Sequence, residues 1–161
     1  YLFSTESNSM HATSPVFRPS DAAVQKHGWA WVALTLALAV HVADEALTDF
    51  LSFYNPMVTS LRARLGWFPM PTFTFDVWLT GLIAVVIVLL LLSVFVFRGS
   101  RAMVYASYPY GLLMLFNGLG HSVGSLYFGR LLPGVYSSPL LLAASVWLLV
   151  CAARRQTNLP A

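Results

Sequence analysis

From Val77 to Phe97 the chain carries no charged residue. That run matches the ~20 apolar residues needed to cross a hydrocarbon core as a helix. It is Leu, Val and Ile for most of its length, entered through Asp76 and Trp78 and closed by Arg98. A segment of this kind restricts the whole chain, because elements joined to a spanning helix by short turns must share its solvent.

The rest of the chain agrees. Of 161 residues, 58% are hydrophobic and 9% charged, against the roughly 25% charged residues of an ordinary soluble domain. Mean hydropathy is +0.70, more apolar surface than one small core hides. The fold class expected is all-α, an integral membrane four-transmembrane-helix bundle. The nine Lys and Arg are scattered among loops rather than gathered on one face, which argues against a nucleic-acid partner. The single cysteine, Cys151, excludes a disulfide framework and reads as a small apolar residue in a helix.

Four spans are expected, at about 28–53, 75–97, 102–129 and 139–153. Tyr1 to Ser9 reads as a tag remnant with Met10 as the natural start, followed by a polar tail to residue 27. No cleavable signal peptide is evident. The first span opens on Trp29 and Trp31 as interfacial aromatics and ends at Tyr54-Asn55-Pro56. Met57 to Trp67 reads as a short interfacial helix between spans 1 and 2, with a re-entrant segment as the alternative. The third span holds Pro109, expected to kink it, and the pair Gly120 and Gly124, expected to admit a neighbouring helix. Residues 156–161 form a C-terminal tail.

With four spans both termini lie on one side. That side collects Arg18, Lys26, Arg98, Arg101, Arg154 and Arg155, against Arg62, Arg64 and Arg130 opposite. The bias places both termini in the cytoplasm.

The first span is not apolar throughout. His41, Asp44 and Glu45 interrupt it at i, i+3 and i+4, so they share a face, and Asp49 follows. Ionisable groups at membrane depth are costly and mark function. Asn117 and His121 form a second i, i+4 pair in the third span. Both spans run outward from the same side. Glu45 lies sixteen residues past Trp29 and Asn117 sixteen past Arg101, which puts both about 24 Å along their helices. Asp76 and the stretch Tyr136-Ser137-Ser138 enter from the outer side, so the polar groups converge in the outer half of the bilayer.

Several chemistries suit that set. No Lys or Arg lies inside a span to neutralise the acids, unless Arg62, Arg64 or Arg130 folds inward from the outer loops. Otherwise the carboxylates must be protonated, paired with imidazolium, or bound to a cation. A divalent metal, zinc or iron, fits a mixed nitrogen and oxygen donor set. His41, Glu45 and His121 are the leading ligands. Asp44 is a fourth ligand or a general base, and Asp44 and Glu45 are the candidate catalytic acids. Asn117, Asp49, Asp76 and Tyr108 are candidates to orient a ligand or line a substrate pocket. Haem held between the two histidines ranks below this, because acids beside a porphyrin are unfavourable and the rings stand about two turns apart in height. Metal-free acid–base chemistry on a lipid double bond and ion transport are further alternatives. His11 and His27 read as inert.

The order His41-Val-Ala-Asp44-Glu45, then Asn117-Gly-Leu-Gly-His121, then Leu132-Pro133-Gly134 resembles the HXXEE-domain family of small bacterial membrane proteins, whose function is unknown. The resemblance covers most of residues 28–153. Asp44 stands where the family's motif has Glu. The resemblance implies that these residues act together and supplies no substrate.

The function expected is a metal-dependent intramembrane enzyme, a hydrolase, isomerase or oxidoreductase, acting on a lipid-like or isoprenoid substrate. The alternative is a non-enzymatic carrier or complex subunit whose polar cluster pairs with a membrane partner. The partners expected are the lipid bilayer and a lipid-like small molecule, with a homo-oligomer compatible with either reading.

Overall fold

The computed structural model describes residues 19–157. The expected tag remnant, Met10, His11, Arg18 and the last four residues lie outside the described residues. Among the described residues there are five helices: α1 (Pro19–Leu47), α2 (Phe50–Leu65), α3 (Phe75–Phe97), α4 (Arg101–Phe128) and α5 (Ser138–Gln156). The all-α expectation holds. Three of them, α1 from Asp21, α3 and α5, are long and apolar enough to cross a membrane. α4 is 28 residues long, but its Tyr, Asn, His and Gly residues keep it out of that class.

The helices do not pack in chain order. α1 lies between α3 and α5, and α5 carries α4 on its other side. α3 and α4 are joined by the turn at Arg98-Gly99-Ser100 yet barely touch. The α1–α5 seam is made of small and branched residues, with Ala30, Leu34 and Ala37 facing Leu141, Ala144 and Leu148. α4 meets α5 closely at Gly111 and Gly118, where a Cβ would run into Leu149 and Leu142. This corrects the expected use of Gly120 and Gly124. Gly120 faces open space, and both glycines line a cavity instead.

Three buried hydroxyls are satisfied inside their own helices. Thr35, Ser107 and Ser145 each donate to the carbonyl four residues earlier, so apolar packing proceeds around them at no cost in unpaired groups. α3 is the opposite case. Only 6% of its most apolar window is buried, and Ile83, Ile87, Leu91 and Phe95 stand bare on its surface. Such a face is stable where the surrounding medium is itself apolar.

The first expected span is corrected at both ends. Residues 19–27 are helical rather than a polar tail, so α1 starts nine residues earlier than the interfacial tryptophans suggest. It then stops at Leu47. Thr48 donates its hydroxyl to the carbonyl of Asp44 at 2.6 Å, and Asp49 turns the chain in the left-handed region at φ 58°. Aspartate tolerates that conformation better than most residues. α2 begins at Phe50 and absorbs both the expected end of span 1 and the expected interfacial helix. Pro56 sits inside it.

Tyr54 and Asn55 do not terminate a helix because they anchor a loop. Asn55 exchanges two hydrogen bonds with the backbone of Phe73. Tyr54 donates to the carbonyl of Pro71 at 2.9 Å. Burial pushes its phenol pKa above the ordinary range, so the hydroxyl keeps the proton it donates. Arg62 donates to the carbonyl of Met70. The segment 66–74 is thus fastened along α2 before the chain enters α3.

Candidate metal centre

α1 and α4 run parallel in a fixed register. His27 meets Ser107 across 80 positions, Trp31 packs on Tyr110 with ring centroids 5.0 Å apart, and His41 faces His121. The helical spacing puts His41 and Glu45 on one face of α1, and the register delivers His121 to that face.

There, Glu45 Oε1 lies 3.1 Å from His121 Nε2 and 3.6 Å from His41 Nε2. The donor atoms of all three residues lie within 4.8 Å of one another. Two ligands each ~2.0–2.1 Å from a zinc ion at a tetrahedral angle stand about 3.3 Å apart, and the two observed separations bracket that figure. His41 is wholly buried and Glu45 nearly so. This group could hold a metal ion.

Asp44 is turned away from the three, toward Ser137. Its Oδ2 accepts from the Ser137 backbone N–H at 2.9 Å and from the Ser137 hydroxyl at 2.7 Å. Ser137 Oγ also lies 2.8 Å from His41 Nδ1. A hydroxyl has one proton, and the carboxylate is its stronger acceptor. His41 Nδ1 therefore donates to Ser137, and Nε2 is left as a lone pair. That Nε2 is the buried side-chain atom without a hydrogen-bond partner among the described residues. It faces a carboxylate oxygen, another acceptor, across 3.6 Å, with the Asn117 side chain as a further neighbour.

The loop after α4 closes the outer side of the group. Gly134 has φ 81°, and a Cβ there would stand 2.9 Å from His41 Cε1 and 3.0 Å from His121 Cε1. Its carbonyl accepts from Ser138 at 2.8 Å. The rings themselves meet edge to face with centroids 4.8 Å apart, which leaves no room for a porphyrin between them and corrects their expected difference in height.

The remaining sequence candidates are placed as follows. Asn117, one turn before His121, lines an apolar cavity of about 400 Å³ together with His121, Phe50, Tyr54 and Phe116. Asp49 is exposed and lines a neighbouring cavity of about 490 Å³ with Arg130. Asp76 is exposed at the start of α3. Tyr108 is not brought to the cluster and donates to Gln156 at the far end of α4. The outer arginines do not fold onto the cluster either. Arg62 is held by Met70, and Arg64 and Arg130 are exposed.

His27, expected to be inert, is fully buried. Its Nε2 bonds Ser107 at 2.8 Å and its Nδ1 lies 3.4 Å from Arg155, which also donates to the carbonyl of Gly99. Arg155, expected as a topology signal, is thus turned inward. Ser137 and Gly134 were legible only as members of the stretch Tyr136-Ser137-Ser138 and of the turn Leu132-Pro133-Gly134, without a role at the cluster.

Fold and cluster together define a small all-helical protein with three helices fit to cross a membrane and a buried His-Glu-His group between two of its helices. The chain belongs to the family described as proteins of unknown function with an HXXEE motif, whose sequence model matches residues 31–148. No curated protein and no solved structure matches it. The departure from the motif falls on Asp44, the acid that holds Ser137, while Glu45 stands among the three donors.

Proposed function

We propose that the protein is a metal-dependent intramembrane enzyme acting on a lipid-like substrate, with zinc or iron held by His41, Glu45 and His121. One observation carries this reading: the buried Nε2 of His41, its ring fixed by Ser137, lies 3.6 Å from a carboxylate oxygen that also stands 3.1 Å from His121 Nε2. Three protein ligands with a position left open is the pattern of catalytic rather than structural sites. His121 also borders the apolar cavity, so an open position there would meet an apolar ligand. A bound metal would supply Lewis-acid polarisation of a substrate oxygen. The chain's own residues do the rest. Asp44 and Ser137 fix the tautomer of His41, Glu45 carries the negative charge, and Asn117 offers an amide to orient what enters.

In the same reading α1, α3, α4 and α5 are the four spans, and α2 lies at the outer interface. α4 joins them because its polar and small residues, Ser107, Gly111, Gly118 and Ser125, are buried while Leu112, Leu113, Phe116 and Val123 are bare. Lys26, Arg98, Arg101 and Arg154 at one end keep the termini on the cytoplasmic side of a bacterial inner membrane.

Elemental analysis of the purified protein beside His41→Ala and His121→Ala tests the reading. Near-stoichiometric metal in the parent and little in either variant supports it, together with lipid turnover lost on chelation and in Glu45→Gln. Equal metal content in all three removes it.

A further inference from the structure

The two cavities beside the cluster share Phe53, Met57, Phe128 and Leu132 as walls and make two adjoining lobes of a groove between α2 and α4, with the Phe53 and Phe128 rings in edge contact. Its inner part is apolar and follows one face of α4 from Phe116 through Gly120 and Gly124 to Phe128, a length of about 18 Å. At Gly120 no neighbouring atom stands within 4 Å of where a side chain would begin, which opens the floor there, while at Gly124 Leu132 Cδ1 covers it at 2.9 Å. The outer part is different in kind. It carries Asp49 and Arg130, with Thr48 and Ser52 between the charged ends. Among the described residues no ion pair joins Asp49 to Arg130, and neither side chain is committed to a hydrogen bond.

A groove with opposite charges at its mouth and an apolar lobe behind it matches an amphiphile that carries both charges on its head. We infer that it binds a single-chain zwitterionic lipid, with the phosphate against Arg130, the amine against Asp49 and the chain laid over Gly120 past His121. This deepens the reading of the cluster as a lipid-acting site and rests on it. His121 lies seven residues inward of Phe128, about 10 Å along the helix. The part of the ligand presented to the cluster is therefore the start of the chain and its linkage, and the headgroup stays outside. The arginine fork suits a phosphate better than a lysine would.

Equilibrium binding tests this on the full chain in an uncharged detergent, read by native mass spectrometry. The probes are lysophosphatidylethanolamine, a monoacylglycerol of the same chain length, and phosphoethanolamine without a chain. The lysophospholipid is expected to bind at least about tenfold tighter than either other probe. Arg130→Gln and Asp49→Asn each remove that preference while leaving monoacylglycerol binding unchanged. Gly120→Leu weakens both chain-bearing probes without changing helical content. Equal affinity for the two chain-bearing probes overturns the proposal, as does phosphoethanolamine binding as tightly as the lysophospholipid, or an Arg130→Gln protein that keeps its preference. Metal is measured on the same samples. Lipid preference in a protein that never holds metal leaves the groove standing and removes the metal reading. Full metal content without lipid preference removes the groove alone.

Discussion

His121 stands eighty positions after His41, and the two imidazoles meet edge to face with their centroids 4.8 Å apart. The same offset joins His27 to Ser107 more than three turns away. α1 and α4 are therefore held as parallel rods at two levels, although their backbones hardly touch. The contact is made by long side chains and, at the outer end, by the loop that inserts Gly134 against both rings. A site assembled this way depends on the loop as much as on the helices.

Gly134→Ala tests that dependence. The backbone there is left-handed, and the new methyl would press on both imidazoles. The expected cost is about 1–3 kcal/mol of stability, seen as a lower unfolding midpoint in detergent. Metal content should fall with it, because the rings must separate to admit the methyl. A variant with unchanged midpoint and unchanged metal would show that the loop is not seated as described.

Ser137 and Asp44 matter through His41. With Ser137→Ala the Nδ1 proton loses its acceptor, and the ring is free to turn or to change tautomer. Removing the partner that orients a metal-bound histidine typically weakens metal affinity ~10–100-fold. Asp44→Asn should have a similar effect, since an amide in its place gives Ser137 a weaker acceptor. The double variant should lose little more than either single one, because all three residues form one chain of bonds. Titration against a competing chelator measures this. Additive losses would mean that Asp44 reaches the metal independently.

Much of this was legible in the sequence, and the failures have a common origin. The spacing of His41, Asp44 and Glu45 put them on one face, and the parallel course of the two spans put His121 near them. The level was misjudged because the ruler was started at Trp29. Tryptophans mark an interface well, but α1 begins at Pro19, and from Asp21 to Arg101 the offset is already the one seen at the histidines. The break at Thr48 and Asp49 was hidden because neither residue is a strong helix breaker, whereas Pro56 is one and yet sits inside α2. What holds α2 together there is the exchange of hydrogen bonds between Asn55 and Phe73, a tertiary contact that no local pattern encodes. Arg155 looked like a surface charge for the same reason. Its partners, His27 and Gly99, are far from it in the chain.

Asp49 provides a backbone test separate from the metal. Glycine adopts φ 58° without steric penalty, so Asp49→Gly should unfold close to the parent. Asp49→Val must hold a branched side chain in the left-handed region and should lose about 1–2 kcal/mol. Asp49→Asn separates charge from conformation, because asparagine also visits that region readily. Thermal unfolding of the three in one detergent should rank Val well below Gly and Asn. Equal midpoints would show that the joint between α1 and α2 is not turned in this way.

Arg155→Met asks whether the two ends of the α1–α4 pair are independent. Methionine keeps much of the apolar stem but none of the donors, so the carbonyl of Gly99 and Nδ1 of His27 both lose their partner. Leaving buried polar groups unpaired costs ~1–3 kcal/mol each, and His27→Ala should cost a comparable amount through Ser107 and Arg155. His27 is fourteen residues before His41, about 21 Å along the helix. At that distance the effects of separate sites add, so metal content should stay at the parent's level while the unfolding midpoint drops. Loss of metal in Arg155→Met, with the helices still formed by circular dichroism, would mean that the register of α1 on α4 is set from the His27 end and only read out at the histidines.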